Sequence, residues 1–269
     1  MSAPLEIQLR GKLIRFDPFE DHYPSSYYSA VENDHWEPHT VAFLERHLNA
    51  QKVLIDVGAA TGVTALFAAA LGARVVAFEP NPFVFASLER NIELNSVADR
   101  IDIRKVALSD HSATIRFNAD DDPEVISSIT VTGGEAYRSV EVEVVEIAEV
   151  LMELDLPHRE NVVMKMDVEG AEYRILLDEK SVATISKKCG VLTFSLHPGF
   201  THKRSRFSSL RKLQAVIGIF RTFRANLSVF KMLSAHGSLE IYGVKRVTRP
   251  LMFAVLVQFG MLDWVFTPR

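Results

Sequence analysis

The chain has a single cysteine, Cys189, in 269 residues, which excludes an internal disulfide and a thiolate zinc cluster and fits a reducing compartment. Glycine and proline number only 13 and 11, too few for a collagen-like or low-complexity chain. Long hydrophobic runs are missing as well. The longest, Leu251 to Leu262, is too short to span a bilayer and is followed by Asp263. The opening MSAPLEIQLRGK lacks the apolar stretch of a secretory signal, so a cytoplasmic protein is expected. No repeat period is visible, which excludes solenoids and propellers.

What is present is an ordinary globular composition, 48% hydrophobic and 24% charged, in a length that suits one generous α/β domain. The formal net charge of −4 conceals an uneven distribution. Residues 1–184 carry 16 Lys and Arg against 32 Asp and Glu, a net −16, whereas residues 185–269 carry 14 against 2, a net +12. Two arrangements account for this: an acidic front docked on a basic back, or a basic surface directed at an anionic partner.

The chain divides into an irregular, aromatic-rich N-terminal segment or lid (1–39), a main domain (40–200) and a basic C-terminal extension (201–269) that completes it. Pro38, Val41, Leu44 and Leu48 mark a short amphipathic helix. Val53 to Val57 is a buried strand, Thr61 to Leu71 an Ala-rich helix closed by Gly72, and Arg74 to Glu79 a second buried strand. Asn81-Pro82 caps a helix reaching about Asn95, and Ile101 to Val106 is a third strand. Ala113 to Phe117 and Val140 to Ile147 alternate apolar and charged residues, as strands with one wet face do, and are read as an inserted hairpin-like element within about 110–147. A helix near 146–154, a strand at 161–168, a helix at 171–177 and a strand at 191–196 follow. This alternation predicts a Rossmann-like, doubly wound, mostly parallel sheet that binds ligands at the carboxyl ends of its strands.

The first strand ends in Asp56-Val57-Gly58-Ala59-Ala60-Thr61-Gly62. A glycine-bearing turn before a helix brings free backbone N–H groups to a ligand. A dinucleotide fingerprint would need glycine where Ala60 and Val63 stand, so a pyrophosphate is disfavoured. Glu79, about 20 residues on, suits the vicinal hydroxyls of a ribose. A ribose without a pyrophosphate points to S-adenosylmethionine.

VLIDVGAATGVTALFAAALGARVVAFEPNPFVFASLERNIELN, then KVALSD, then VMKMDVEGAEYRILL, resembles the FkbM family of S-adenosylmethionine-dependent methyltransferases over roughly residues 36–198. The resemblance implies a class I methyltransferase fold and O-methylation of a hydroxyl on a sugar, glycolipid, polyketide or similar metabolite. It puts Asp56, Gly58, Ala60 and Gly62 at the methionine end of the cofactor, Glu79 on the ribose with Asn81 beside it, and Ala107, Leu108 and Ser109 along the adenine.

Methyl transfer to a neutral hydroxyl needs a proton acceptor, and Asp167 and His197, both at carboxyl ends of strands, are the candidates. Asp167, Glu169 and Glu172 leave open a magnesium ion that would polarise the hydroxyl. Lys165 shares a strand face with Asp167 and is read first as half of a buried ion pair. Nucleic acid as acceptor is disfavoured, because the Asn/Asp-Pro-Pro-aromatic motif of amino-methylating enzymes is missing after this strand. A non-catalytic module acting through its basic surface is the reading from another class. In the extension, Lys203, Arg204, Arg206, Arg211 and Lys212 lead into Leu213, Val216, Ile217, Phe220, Leu227 and Phe230, with Arg221 and Arg224 between. That pattern suits an amphipathic helix lying on an anionic membrane, with Leu251 to Phe266 as a second shallow anchor or a homodimer contact. The same segments could instead cover the sheet and pair with the acidic front.

Overall fold

The computed structural model describes residues 3–17, 25–117, 140–168, 171–197, 208–241, 246–258 and 263–269. The N-terminal residues form a hairpin of β1 (Leu5–Leu9) and β2 (Lys12–Phe16), turning at Arg10-Gly11, both with positive φ. Helices α1 (Ser25–Glu32) and α2 (Pro38–His47) follow. Next come β3 (Val53–Val57), α3 (Val63–Ala70), β4 (Arg74–Phe78), α4 (Pro82–Asn95) and β5 (Ile101–Arg104). Asn81 caps α4 by accepting a hydrogen bond from the Phe83 N–H at 3.0 Å, with Pro82 in the first turn, as cap and proline chemistry dictate.

A side sheet of β6 (Ala107–Ser109), β7 (Ala113–Phe117) and β8 (Val140–Glu146) has the order β6-β8-β7. The β7–β8 pair is antiparallel, the expected insertion, although Asp120-Asp121-Asp122 and Gly133-Gly134 lie outside the described residues. The chain continues through α5 (Ile147–Glu153), β9 (Val162–Met166), α6 (Glu172–Leu177), α7 (Glu179–Lys188) and β10 (Val191–Ser195). It closes with α8 (Ser208–His236), β11 (Gly237–Ile241), α9 (Pro250–Gln258) and β12 (Asp263–Pro268).

The main sheet has seven strands in the order β11-β12-β10-β9-β3-β4-β5. Pairs from β10 through β9, β3 and β4 to β5 are parallel, and β12 runs antiparallel between β10 and β11. From β3 the chain winds outward to β4 and β5, then returns to β9 on the other side. The carboxyl ends of β3 and β9 therefore flank the point of topological reversal, where open α/β sheets bind ligands.

Two expectations are corrected. The first 39 residues are not simply irregular: Ile7, Leu9, Ile14 and Phe16 are buried with Tyr28, Val31 and Val41 in one core cluster, because the hairpin's alternation gives it an apolar face. The C-terminal extension holds strands as well as the expected helices. Trp264, Val265 and Phe266 are buried in β12, and Phe230 packs on Phe253 at 5.5 Å. These residues are spent on the core and are withdrawn from any membrane or dimer contact.

Candidate active site

Asp56, at the end of β3, is fully buried. Its Oδ2 accepts a hydrogen bond from the Thr64 hydroxyl, and Oδ1 faces Lys165 Nζ at 3.5 Å. Burial pushes its carboxyl above the ordinary range, against the pull of Lys165. Lys165 also donates to the Gly58 carbonyl at 2.9 Å. Burial acts to lower its pKa, but Asp56, Asp167 and Glu37 outweigh it and hold the ammonium above its usual value. The lysine thus ties β9 to the β3–α3 turn, with the Asp56 carboxylate beside it.

The turn itself is tightly built. Gly58 has φ 84°, and a Cβ there would lie 2.0 Å from the Asp167 carbonyl oxygen, so only glycine fits. Ala60 has φ 50° and Gly62 φ 98°. Glu79 braces the turn from β4: Oε2 accepts the Ala60 N–H at 3.0 Å and Oε1 the Asn81 N–H at 2.8 Å. Burial raises the Glu79 carboxyl to about 7 despite these two backbone donors. On the neighbouring β6, Ala107 and Leu108 pair with Val144 and Val145 of β8. The Leu108 side chain enters the core with Phe78 and Ile147, and the Ser109 hydroxyl donates to Asp110 at 2.9 Å.

Beyond β9 and β10, Asp167, Glu172 and His197 converge, with ligating atoms within 4.8 Å of one another. His197 Nδ1–H donates to Glu172 Oε1 at 2.9 Å, and Nε2 lies 3.6 Å from Asp167 Oδ1. Glu172 is fully buried and its Oε1 also accepts the Val168 N–H at 3.0 Å. A carboxylate on Nδ1 leaves Nε2 as the ring's proton acceptor. Glu169, the third member expected for a metal set, lies outside the described residues. The three that do converge fit magnesium poorly: the ion favours oxygens, while Glu172 and His197 are already bonded to each other.

One residue of this crevice escapes sequence reading. Glu37, the N-cap of α2, has φ 39° and ψ 54°, and its carboxylate is in electrostatic contact with Lys165, Asp167 and Asp263. Burial raises it to about 7, Lys165 opposing and Asp167 adding to the shift. No periodicity leads to it, since it sits between two helices; its position before Pro38 marks only a helix start. Glu37 Oε2 and Asp167 Oδ1 are both buried acceptors without a hydrogen-bond partner, an arrangement that a donor-bearing ligand satisfies.

A seven-stranded sheet with one antiparallel strand inserted next to its edge, and a glycine turn with strand-end acids at the reversal point, defines the class I methyltransferase fold. More particularly, the chain belongs to the FkbM methyltransferase family: the methyltransferase FkbM domain matches residues 56–215. A similar solved structure is the methyltransferase FkbM from Methylobacillus flagellatus KT, 15% identical, covering 92% of this chain and 56% of that one, with a TM-score of 0.42. Another is a putative rRNA methylase from Clostridium thermocellum, 10% identical over 87% of this chain and 94% of that one, at 0.46. Among curated proteins, the ribosomal protein L11 methyltransferase of Desulfitobacterium hafniense is 37% identical over 62 residues, 23% of this chain and 20% of that protein. The chain thus spans about a fifth of the length of the curated relatives it matches.

Proposed function

We propose that the protein is an S-adenosylmethionine-dependent O-methyltransferase acting on a hydroxyl of a sugar, glycolipid, polyketide or similar metabolite. The observation that carries this reading is the Glu172–His197 pair, whose Nε2 is directed toward Asp167 beside the glycine turn. S-adenosylmethionine, when bound, supplies an electrophilic methyl group. Glu172 holds the imidazole in the tautomer that accepts at Nε2, and His197 takes the hydroxyl proton as the oxygen attacks. Asp167 orients the hydroxyl or steadies the imidazolium that results. Glu79 meets the ribose from the end of β4, and the turn's backbone meets the methionine end. Much of the rate comes from positioning.

Incubation with S-adenosylmethionine and pools of hydroxylated metabolites, followed by mass spectrometry, is expected to show an acceptor heavier by one methyl group. His197→Gln should lower turnover about 100-fold or more with cofactor affinity little changed, the scale of general-base catalysis. A chelator should leave the wild-type rate unchanged. Loss of cofactor binding in step with turnover would remove His197 from the chemistry, and chelator sensitivity would restore the metal.

Localisation to an anionic membrane face is the second part of this reading. Ile219 and Phe220 on α8, and Leu251, Met252 and Val255 on α9, are exposed, and so are Arg221, Arg224, Arg246 and Arg249 near them in sequence. Exposed apolar side chains among cations suit the headgroup region. No helix among the described residues is long and apolar enough to cross a membrane.

A further inference from the structure

Glu37 bears two costs at one residue. Its backbone is left-handed, at φ 39°, a conformation that a residue with a Cβ adopts only when the surroundings impose it. Its Oε2 is buried without a hydrogen-bond partner, although Thr40 supports the carboxylate. Costs of this kind gather where a ligand later repays them.

The neighbours decide which ligand chemistry suffices. Lys165 acts on Glu37 through its charge, while its close contacts are the Gly58 carbonyl at 2.9 Å and Asp56 at 3.5 Å. Asp56 is fully buried and held at Oδ2 by Thr64, while its Oδ1, without a hydrogen-bond partner, is ion-paired with Lys165 at 3.5 Å. Asp167 Oδ1 is directed toward His197 Nε2, on the side of the acceptor. Asp263 accepts the Ser195 hydroxyl at 2.7 Å. Glu37 Oε2 is thus, like Asp167 Oδ1, a buried carboxylate oxygen without a hydrogen-bond partner, and it lies within the electrostatic reach of Lys165 in a crevice where acids outnumber bases. A cation is what such an oxygen takes up.

We propose that Glu37 is a cofactor-binding residue whose Oε2 accepts a hydrogen bond from the α-ammonium group at the methionine end of S-adenosylmethionine. This rests on the cofactor reading above and transfers to Glu37 the role that the resemblance gives to Asp56. The α2 segment then belongs to the cofactor site, and the hairpin and helices before β3 position a ligand contact as well as filling the core.

The test is a cycle between one side chain and one ligand group. Calorimetry would measure S-adenosylhomocysteine and its analogue lacking the amino group against the wild type, Glu37→Gln and Glu37→Asp. In the wild type, loss of the amino group should weaken binding about 10- to 100-fold, the scale of a hydrogen bond between charged groups. In Glu37→Gln, S-adenosylhomocysteine should weaken by a similar factor, while the analogue binds as it does to the wild type. Glu37→Asp, which keeps the charge, should fall between. Equal weakening of both ligands in Glu37→Gln, or an unchanged preference for the amino group, overturns the proposal. Should Glu37→Gln fail to fold, the wild-type and Glu37→Asp comparison decides: a preference unaltered by shortening the carboxylate overturns it equally. A wild type that binds neither ligand overturns the cofactor reading itself, and so is distinguishable from failure at Glu37.

Discussion

Burial sets the protonation of both Glu37 and Glu79, each raised to about 7. An acid whose pKa is higher in the folded than in the unfolded state stabilises the fold fully below the unfolded value, and that contribution is lost as pH rises toward the folded one. For these residues the loss falls between about pH 4.5 and 7. Glu37→Gln removes one of the two titrations. The unliganded variant is expected to melt at a higher temperature than the wild type near pH 8 and to match it near pH 5. Thermal unfolding at both pH values checks this; lower stability of the variant at each would make Glu37 a structural residue. Greater stability combined with weaker cofactor binding is what a residue kept for function produces. At this scale sequence reading reaches only part of the site. Asp167 and His197 are legible because strand periodicity ends at each of them. The pairing of His197 with Glu172 is not, since it depends on how α6 leaves β9 relative to the end of β10. Glu37 is invisible for the same reason: tertiary packing alone carries it there.

Among the elements, the β3–α3 turn sets the tolerance of the whole crevice. Gly58→Ala would drive a methyl group to 2.0 Å from the Asp167 carbonyl, whereas at Gly62 the nearest obstacle is Leu88 Cδ1 at 2.6 Å, the end of a flexible side chain. Both positions add the left-handed backbone cost. Gly58→Ala is therefore expected to destabilise by more than about 2 kcal/mol and more than Gly62→Ala, as urea unfolding would show. A smaller loss at Gly58 than at Gly62 would mean that β9 yields readily. Parallel strands β3, β4, β9 and β10 are legible as short apolar runs because both faces of the sheet are covered. Hairpin β1–β2 carries its own signal in LEIQLRGKLIRF, where apolar and polar residues largely alternate about Arg10-Gly11. Strand β12 is hidden differently. Its DWVF follows the apolar α9 with little contrast in hydrophobicity, and composition alone does not separate the two.

Taken as a whole molecule, the protein places its acidic crevice at the carboxyl ends of its central strands β3 and β9, and α8 carries Arg211, Lys212, Arg221, Arg224 and Lys231 of its basic C-terminal part. Lys203, Arg204 and Arg206 lie outside the described residues, but Phe220 and Leu251, 66% and 63% exposed, are the most exposed large apolar side chains among the described residues. Sedimentation with anionic vesicles is expected at low salt, to be lost at high salt and with neutral vesicles. Phe220→Ser with Leu251→Ser should weaken it without altering cofactor affinity. Protein that remains in the supernatant with anionic vesicles at low salt would leave these residues to an oligomer contact, which sedimentation velocity would reveal.

Inserting β12 between β10 and β11 also imposes an order in time. During synthesis, all other strands of the main sheet emerge from the ribosome before residues 263–268 do. Until then β10 presents an open edge, and β11 has none of its β12 partners. Unpaired edges of this kind invite pairing with another chain. The nascent protein thus passes through an interval in which β9 and β10 exist without β12 beside them.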